Sequence, residues 1–392
     1  MSKMQELIKK YQQSDKDEKV LTEIIREIQT CEMLWMAFSP ITKNFFVDLV
    51  QGSPTVFLFS EKEYCEAYCK HMKSKSNNTL GIVECPKKAR LSIFSEFFRS
   101  GFESILIDNG KPFLFIDLDK VANIPDYSKL PEKDRPVFNP DFVCSADRFF
   151  QCLENKTVTP DKELNLLLEL HNAKLLLPVL GTPENNTVTI PGLERKDGSK
   201  KVVPFFTDIT ELRKYDPKGK YNIITSDFEQ IEKFCDMGET VVINPFTLNF
   251  NVVKQTCEAV RKAVEAVPDH NKTEKAVIYI PDNIDPKLVA VFNQALDNTV
   301  GAEKGYLRAV RRNGKRHLMV VVDCGDASLE ESKRITEEVE KKAKAYITGD
   351  GKIEFISTAT DIGKIAEKGG APFFESINID FDENDDDEPG ID

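Results

Sequence analysis

Apolar residues recur at helical spacing near the start of the chain. Between Val20 and Ile28 they fall three and four positions apart, which predicts a helix that buries one face. The apolar run at residues 33–38 follows directly and has the length of a buried strand. A second pattern of this kind, a helix followed by an apolar strand, occupies residues 163–180. The two patterns predict two α/β segments that begin alike.

These segments are parts of a longer repeat. Residues 21–35 align without a gap with residues 163–177. Later stretches also correspond, namely 55–60 with 202–207 and 101–108 with 238–244. Self-similarity of this kind is the mark of a duplicated structural unit. We therefore predict two small α/β units in tandem, each with the order helix, three strands, two helices and a final strand.

Turn and capping residues mark the ends of predicted elements in each copy. The second copy carries Asp197-Gly198 between two strand-like stretches, and this dipeptide favours a tight turn. Polar residues at Ser60 and at Thr207-Asp208 follow the third strand of each copy. Their side-chain oxygens predict N-caps for the helices that come next.

Residues after about 272 follow a different pattern. Two long β segments flank Asn313-Gly314, the dipeptide that favours a type I′ hairpin turn. The predicted elements alternate in the order β-α-β-β-α-β, at residues 276–280, 286–296, 305–312, 316–323, 329–346 and 353–356. That order is typical of a ferredoxin-like sandwich.

The predicted fold class is therefore α/β and α+β, with two repeated units followed by a ferredoxin-like unit. A stretch rich in Pro and charge between residues 125 and 140 reads as part of a connection. The predicted segments are a flexible lead-in at 1–17, a first repeat at 18–124, a linker at 125–160, a second repeat at 161–254, a third unit at 255–375 and a disordered acidic tail at 376–392.

Composition and charge limit the kinds of molecule that this protein is expected to bind. The 392 residues are 41% hydrophobic and 30% charged, which is enough for two or three cores. The net charge is -12, but residues 380–392 alone hold eight acidic residues, so the remainder is only about four charges negative. A net acidic chain is a poor candidate for binding nucleic acid, and we expect none.

The thiols and the N-terminus indicate a compartment. The nine cysteines are odd in number and scattered, which is typical of reduced thiols. Residues 1–10 lack the apolar core of a secretion signal, and the apolar runs elsewhere are only as long as strands. We expect a cytoplasmic protein without a membrane span.

Motifs that carry catalysis or bind cofactors are not found. Cys65, Cys69, His71 and Cys85 invite comparison with a zinc site, but structural zinc needs four converging ligands, and structural thiols are favoured here. The glycines form no phosphate-binding loop, and no histidine lies in a known catalytic context. We predict no catalytic residue, no metal and no cofactor.

One candidate crevice lies at the strand ends of the second copy. Asn244-Pro245 follows a strand, where an Asx turn explains both residues structurally. The functional interpretation is that strand-end loops meet at one sheet edge, so that Thr207, Asp208, Asn244 and Pro245 line a crevice for a ligand or partner. The residues themselves do not choose the ligand.

The predicted hairpin carries the other candidate site. Its strands hold Arg308, Arg311, Arg312 and Arg316. A solvated hairpin end explains these cations without any function. The alternative is contact with an anion or an acidic partner, since guanidinium groups match carboxylates and phosphates.

Short motifs in a particular order resemble a known family. Residues 204–212 and 238–245 look like the N-terminal domain of bacterial SseB, the enhanced serine sensitivity protein. Residues 305–374, closing on Ala-Pro-Phe-Phe, resemble the C-terminal domain of the same family. The resemblance spans about 18–375 and implies tandem N-terminal domains followed by one C-terminal domain. The first copy departs from the pattern, because residues 108–112 replace the Asn-Pro pair.

The resemblance implies no agreed enzymatic activity, and the family name records a phenotype. We therefore expect a non-enzymatic bacterial protein that acts by binding or regulating an unknown protein partner. The alternatives are a small-molecule sensor, for an amino acid bound between the repeats, and an unrecognised enzyme. An exposed apolar patch would favour a protein that binds a partner. A closed pocket would favour a sensor, and clustered titratable groups would favour an enzyme.

Overall fold

The computed structural model places three sheet-centred units along the chain. It describes residues 2–14, 17–50, 52–110, 112–124, 127–131, 134–181, 189–194, 201–266, 272–273, 276–279, 281, 284–312, 315–347, 353–368 and 370–376. The predicted Asp197-Gly198 and Asn313-Gly314 turns and the acidic stretch from residue 377 lie outside these ranges.

The first unit, residues 2–124, wraps helices around a mixed sheet. Its helices are α1 (Lys3–Gln13), α2 (Glu18–Thr30), α3 (Lys62–Ser76), α4 (Arg90–Arg99) and α5 (Leu118–Val121). Its strands are β1 (Met33–Ser39), β2 (Asn44–Phe45), β3 (Val47–Val50), β4 (Ser53–Phe59), β5 (Gly81–Pro86), β6 (Ser104–Ile107) and β7 (Leu114–Asp117). One sheet face is buried under α1, α2 and α4, and the other lies under α3.

The second unit, residues 134–266, is built from the same kinds of element. Its helices are α6 (Pro140–Glu154), α7 (Pro160–Asn172), α8 (Ile209–Tyr215), α9 (Phe228–Asp236) and α10 (Lys254–Ala266). Its strands are β8 (Leu175–Val179), β9 (Val202–Phe205), β10 (Asn222–Ser226), β11 (Thr240–Ile243) and β12 (Phe250–Val252).

Strand pairing in the second unit follows that of the first. In the first unit β4 and β6 are parallel, β6 and β7 are antiparallel, and β1 pairs antiparallel with β4 and β5. In the second unit β9 and β11 are parallel, β11 and β12 antiparallel, and β8 and β10 antiparallel. The bridge between Leu176 and Phe206 joins β8 to the strand end of β9. Both sheets thus place the ends of two parallel strands at one edge.

The structure differs from the expected element order in several places, including a strand after the last predicted strand of each repeat, β7 and β12, and the packing of α10 in the second core. The strands β5 and β10, which lie between the two helices of each unit, were not predicted, because their side chains are mostly exposed or half-buried and show no apolar alternation. The lead-in expected to be flexible forms α1, whose Met4 and Ile8 are buried in the first core. The segment expected to be a linker contains α6, which packs in the second core through Phe142 and Ala146.

The third unit, residues 272–376, centres on a six-stranded sheet. Its elements are β13 (Lys272–Thr273), β14 (Ala276–Tyr279), α11 (Pro286–Asp297), β15 (Lys304–Arg312), β16 (Lys315–Asp323), α12 (Leu329–Lys344), β17 (Ile353–Ser357), α13 (Asp361–Glu367) and β18 (Phe374–Glu375). The mixed α/β class is therefore confirmed for the molecule. The β-α-β-β-α-β order is present, but the strands lie in the spatial order β14, β15, β16, β17.

This strand order differs from a ferredoxin-like sandwich. In a split β-α-β arrangement each helix returns the chain to a parallel strand, and another strand lies between the two. Here α11 connects the antiparallel neighbours β14 and β15, and α12 connects the parallel neighbours β16 and β17. The same order of elements along the chain is compatible with this sheet and with a ferredoxin-like sheet. The reason is that a connecting helix does not determine beside which strand the next strand pairs. In the part of the chain that the structure describes, no helix has the length and hydropathy needed to cross a membrane.

Candidate functional site

The strand-end residues predicted in the second unit lie together. Thr207 follows β9 and Asn244 follows β11, and the two strands are parallel, so both residues lie at the same sheet edge. The Thr207 backbone N–H donates to Oδ1 of Asn244 at 3.0 Å, and Nδ2 of Asn244 donates to Oγ1 of Thr207 at 2.8 Å. Asn244 has a φ of 49°, in the left-handed region that Asn tolerates. We call this pair of bonds the strand-end link.

Asp208 and Pro245 complete the predicted set. Asp208 caps α8, because its Oδ1 accepts from the backbone N–H groups of Thr210 at 2.7 Å and Glu211 at 3.1 Å. The same oxygen lies 3.4 Å from a guanidinium nitrogen of Arg99 in the first unit. Pro245 is half-buried and continues the turn that Asn244 begins.

The first unit contains an equivalent strand-end link. Asp108 follows β6 with a φ of 56°. Its Oδ1 accepts from the Ser60 backbone N–H at 2.7 Å, and its Oδ2 accepts from Oγ of Ser60 at 2.8 Å. Gln5 of α1 also donates to this carboxylate. The first unit therefore keeps the strand-end link although Asp108 replaces the Asn of the Asn-Pro pair. Ser60 was expected to cap α3, but it takes part in this link instead, and α3 has no side-chain cap.

A small polar crevice lies between the first and second units at this edge. Its volume is about 40 Å³. Its walls include Asn44, Arg99, Asp147, Thr207, Asp208, Glu211 and Asn244. Pockets for drug-sized ligands commonly measure about 300–1,000 Å³, so this crevice has room for water rather than for an amino acid.

Asp147 is the least solvated acid of the crevice. It lies on α6, is 2% exposed, and accepts from Nδ2 of Asn44 at 2.6 Å. Burial raises the pKa of Asp147 to about 8. The hydrogen bond from Asn44 lowers this pKa, but its effect is smaller than that of burial. The carboxyl is therefore mainly protonated at neutral pH. Sequence reasoning missed this residue because α6 lies in the segment expected to be a linker.

Helix α6 also connects the two units through a side-chain amide. Gln151 accepts from the backbone N–H of Val47 at 3.3 Å and donates to the carbonyl of Val47 at 2.9 Å. This amide pairs with the β3 backbone as a neighbouring strand would. Together with the contact between Arg99 and Asp208, it orients the two units around the crevice.

Arg308 does not have the role predicted for it. The residue is 4% exposed, and its guanidinium donates to the carbonyls of Ala366 at 2.7 Å and Gly370 at 3.0 Å, and at 3.3 Å to that of Glu367. Burial lowers the pKa of Arg308 to about 10. The side chain thus caps the end of α13 and is not available to an acidic partner. The side chains of Arg311, Arg312 and Arg316 lie outside the described residues, so their proposed contact remains a prediction.

The cysteines near His71 form no metal centre in the described ranges. No group of three or more His, Cys, Asp or Glu side chains in those ranges has the geometry to hold a metal ion. Cys65 is buried one helical turn from Cys69, whose Sγ donates to the Gly81 carbonyl at 3.8 Å. A hydrogen bond between the two thiols would favour a proton on Cys65. Such a bond and burial raise the pKa of Cys65, while the same bond lowers the pKa of Cys69.

Among the residues that the structure describes, one sheet face of the second unit is partly uncovered. In the first unit the corresponding face lies under α3, 15 residues long, where Phe57 and Phe59 pack against Tyr68. In the second unit the helix at this position, α8, has only 7 residues. We call the surface beside it the open face, and its members are Leu180, Ile209, Tyr215, Tyr221, Ile223 and Phe246.

Aromatic contacts make the open face continuous. Tyr215 stacks on Tyr221 at a centroid distance of 5.5 Å and on Phe246 at 6.4 Å. Ile223 lies two positions beyond Tyr221 and is paired with Pro178 of β8. The exposed fractions are 43% for Ile223 and 45% for Phe246. Sequence analysis did not predict this face, because the length of α8 and the strand β10 were not foreseen.

Comparisons with known proteins match the second unit. The family model for the SseB protein N-terminal domain matches residues 153–256. A search of curated proteins finds no match to the chain. One solved structure, Tic22 from Plasmodium falciparum, has 11% identity and a TM-score of 0.16, over 53% of this chain and 84% of that chain. The matched segment runs from the end of α6 into α10, and it is similar to the SseB protein N-terminal domain.

Proposed function

We propose that this protein is a non-enzymatic, SseB-like bacterial protein that acts in the cytoplasm by binding another protein through the open face. The observation that carries this proposal is the exposure of contiguous aromatic and aliphatic side chains beside the short α8. Single exposed apolar residues are ordinary, but contiguous patches mark interaction sites. Tyr and Phe are also enriched at the centres of interfaces.

The charges around the open face suggest the character of the partner. The exposed residues Arg213, Lys214, Lys218 and Lys220 lie on either side of Tyr215 in the sequence, and Lys214 is paired with Glu211 at 2.5 Å. The neighbouring carboxylate of Asp216 is buried and accepts from the Tyr221 backbone N–H at 2.9 Å. An apolar centre with a basic rim fits a partner whose own apolar surface is bordered by Asp and Glu.

We further propose that the first unit is a second SseB N-terminal domain and the third unit an SseB C-terminal domain. The support for the first is the recurrence of strand pairing and of the strand-end link, with Asp108 in the place of Asn244. The support for the second is the motif order of residues 305–374. A link to serine sensitivity rests on the family resemblance alone.

The strand-end crevice gives little support to the sensor alternative. A sensor would hold its amino acid between the repeats, and the crevice at this edge measures about 40 Å³. Its polar groups are also engaged in caps and in contacts between the units, as with Asp208 and Asn44. A rise in melting temperature on adding serine would favour the sensor over the partner.

Capture from a native bacterial cytoplasm tests the partner proposal. The full chain is compared with the double variant Ile223→Glu and Phe246→Glu, which places two charges on the open face. The matched control is Leu91→Glu with Val300→Glu, which changes two apolar residues that are 83% and 93% exposed elsewhere. We expect one stoichiometric protein to be captured by the wild type and the control and lost with the open-face variant.

Salt and folding controls sharpen this experiment. Raising the salt concentration should weaken capture, because the basic rim is solvent-exposed. Circular dichroism and thermal melting should show that both double variants remain folded. Capture that survives the two open-face changes, or no stoichiometric partner for any form, would contradict the proposal.

A further inference from the structure

A second and much larger cavity lies away from the crevice. It is a cleft of about 1,100 Å³ bounded by the first unit, by α6 and α7, and by the third unit. Ligand pockets commonly measure about 300–1,000 Å³ and often form between structural units. The cleft therefore has the size and the position of a small-molecule site.

The first unit supplies an apolar wall. Phe46, Phe57, Tyr68 and Met72 line the cleft. The rings of Phe57 and Tyr68 stack at a centroid distance of 5.0 Å, and Phe46 lies 5.7 Å from Phe57. These packed rings form a rigid surface against which an apolar group can lie.

Lys162 also lines the cleft, and its ammonium has no counterion among the described residues. The residue belongs to α7, lines the cleft and is only 6% exposed. Its ammonium donates to the carbonyl of Thr157 at 3.4 Å. Within the described residues, no carboxylate lies within ion-pairing distance of this ammonium. An ammonium has three donors, and one long hydrogen bond leaves capacity for an anionic ligand in the cleft.

The charged residues around Lys162 reinforce this conclusion. Among the described residues that line the cleft, the other cations are Lys75, Arg148 and Lys287, and the acids are Asp48 and Asp285. Asp285 caps α11 by accepting from the Lys287 backbone N–H at 2.9 Å, and Asp48 accepts from that of Leu49 at 2.8 Å. This described part of the lining is therefore net positive, in a chain whose net charge is -12.

We propose that this cleft binds a small organic anion. Its carboxylate or phosphate group lies at Lys162, and its apolar body lies against Phe57, Tyr68 and Met72. This site goes beyond the proposed partner binding, which uses the open face and none of these residues. The two proposals can therefore be tested independently of each other.

Calorimetric titration of the full chain tests the site with defined probes. The probes are phenyl phosphate, phenylacetate, inorganic phosphate and the neutral phenylacetamide. We expect one of the two aromatic anions to bind more tightly than inorganic phosphate, and the stronger of them identifies the acid group. Phenylacetamide should not bind, because it cannot neutralise Lys162.

Substitution at Lys162 distinguishes a binding role from a structural one. Lys162→Gln should weaken the anion by about 10- to 100-fold, the loss expected for one charge-assisted hydrogen bond. Lys174→Gln is the matched control, since Lys174 is an exposed lysine of the same unit, paired with Asp227 at 3.8 Å, and does not line the cleft. The ligand-free Lys162→Gln protein should also melt at a higher temperature than the wild type, because a buried charge is gone.

A charge-preserving variant covers the case in which Lys162→Gln does not fold. Lys162→Arg retains the positive charge and should retain binding within about tenfold. The proposal is overturned if no probe anion binds, if Lys162→Gln binds as the wild type does, or if phenylacetamide binds as well as phenylacetate.

Discussion

Individual polar side chains hold together the parallel strands of the first two units. Asn244 and Asp108 occupy equivalent strand ends, and each accepts a hydrogen bond from the backbone N–H that follows the neighbouring strand. An amide in one unit and a carboxylate in the other serve the same geometry. Because Asn and Asp both serve here, the strand-end position requires a short polar side chain on a backbone of positive φ and does not require a particular charge.

Asn244→Ala should therefore destabilise the protein. The change removes two buried hydrogen bonds and places a less suitable residue at positive φ, which costs about 2–4 kcal/mol in the free energy of unfolding. Asn244→Asp should cost less, because Asp108 shows that a carboxylate fits. Urea unfolding measures both. Asn251→Ala, at an exposed position of β12, is the control, and an equal loss there would contradict the role of the link.

At the scale of elements, helix length decides which faces are covered. The long α3 closes its sheet face in the first unit, while α8 leaves part of the corresponding face open. Helix ends also use side chains from other elements. The last carbonyls of α13 accept from Arg308, which reaches them from β15.

Arg308→Met should loosen α13. Removing the guanidinium leaves the carbonyls of Ala366 and Gly370 without this donor, at a cost of about 2–4 kcal/mol in the free energy of unfolding. Hydrogen exchange should accelerate in α13 and remain unchanged in α12. The exposed Arg334 of α12 provides the control as Arg334→Met, with an effect of about 0.5 kcal/mol or less. Unchanged exchange in α13 of the Arg308 variant would exclude the capping role.

At the scale of the whole molecule, the first two units meet through a buried carboxyl. Asp147 lies at their crevice, and burial raises its pKa to about 8. The ordinary pKa of Asp in an unfolded chain is about 3.9. Between these values the native state binds more protons than the unfolded state, so the free energy of unfolding falls as pH rises, by at most about 1.4 kcal/mol per pH unit.

Asp147→Asn should remove this dependence. The variant keeps an oxygen that accepts from Asn44 and has no charge to bury. Its gain in unfolding free energy over the wild type should be near zero at pH 4, grow as pH rises and level off above about pH 8. Urea titrations at pH 4, 6 and 8 measure it, with Asp297→Asn at an exposed position as the control. A gain that does not change with pH would contradict the raised pKa.

Prediction from the sequence succeeded where one element buries a regular apolar face. The helices α2 and α7 and the strands β4, β6, β9 and β11 were foreseen in this way. The edge strands β5 and β10 were missed, because their side chains lack alternating burial. Of the candidate residues, Thr207, Asp208 and Asn244 do lie together, whereas Arg308 is buried. Lys162 and Asp147 carried no local signal, since their burial comes from distant residues.

The sequence by itself determined the mixed α/β class, the order of most elements and the resemblance of the second unit to SseB. These follow from local periodicity, turn chemistry and short motifs, which depend on residues near one another in the chain. Only the tertiary structure decided the strand order of the third unit, the open face, the size of the crevice and the cleft around Lys162. Each of these depends on which distant surfaces meet and which groups lose their water, and burial of that kind is a property of the assembled fold.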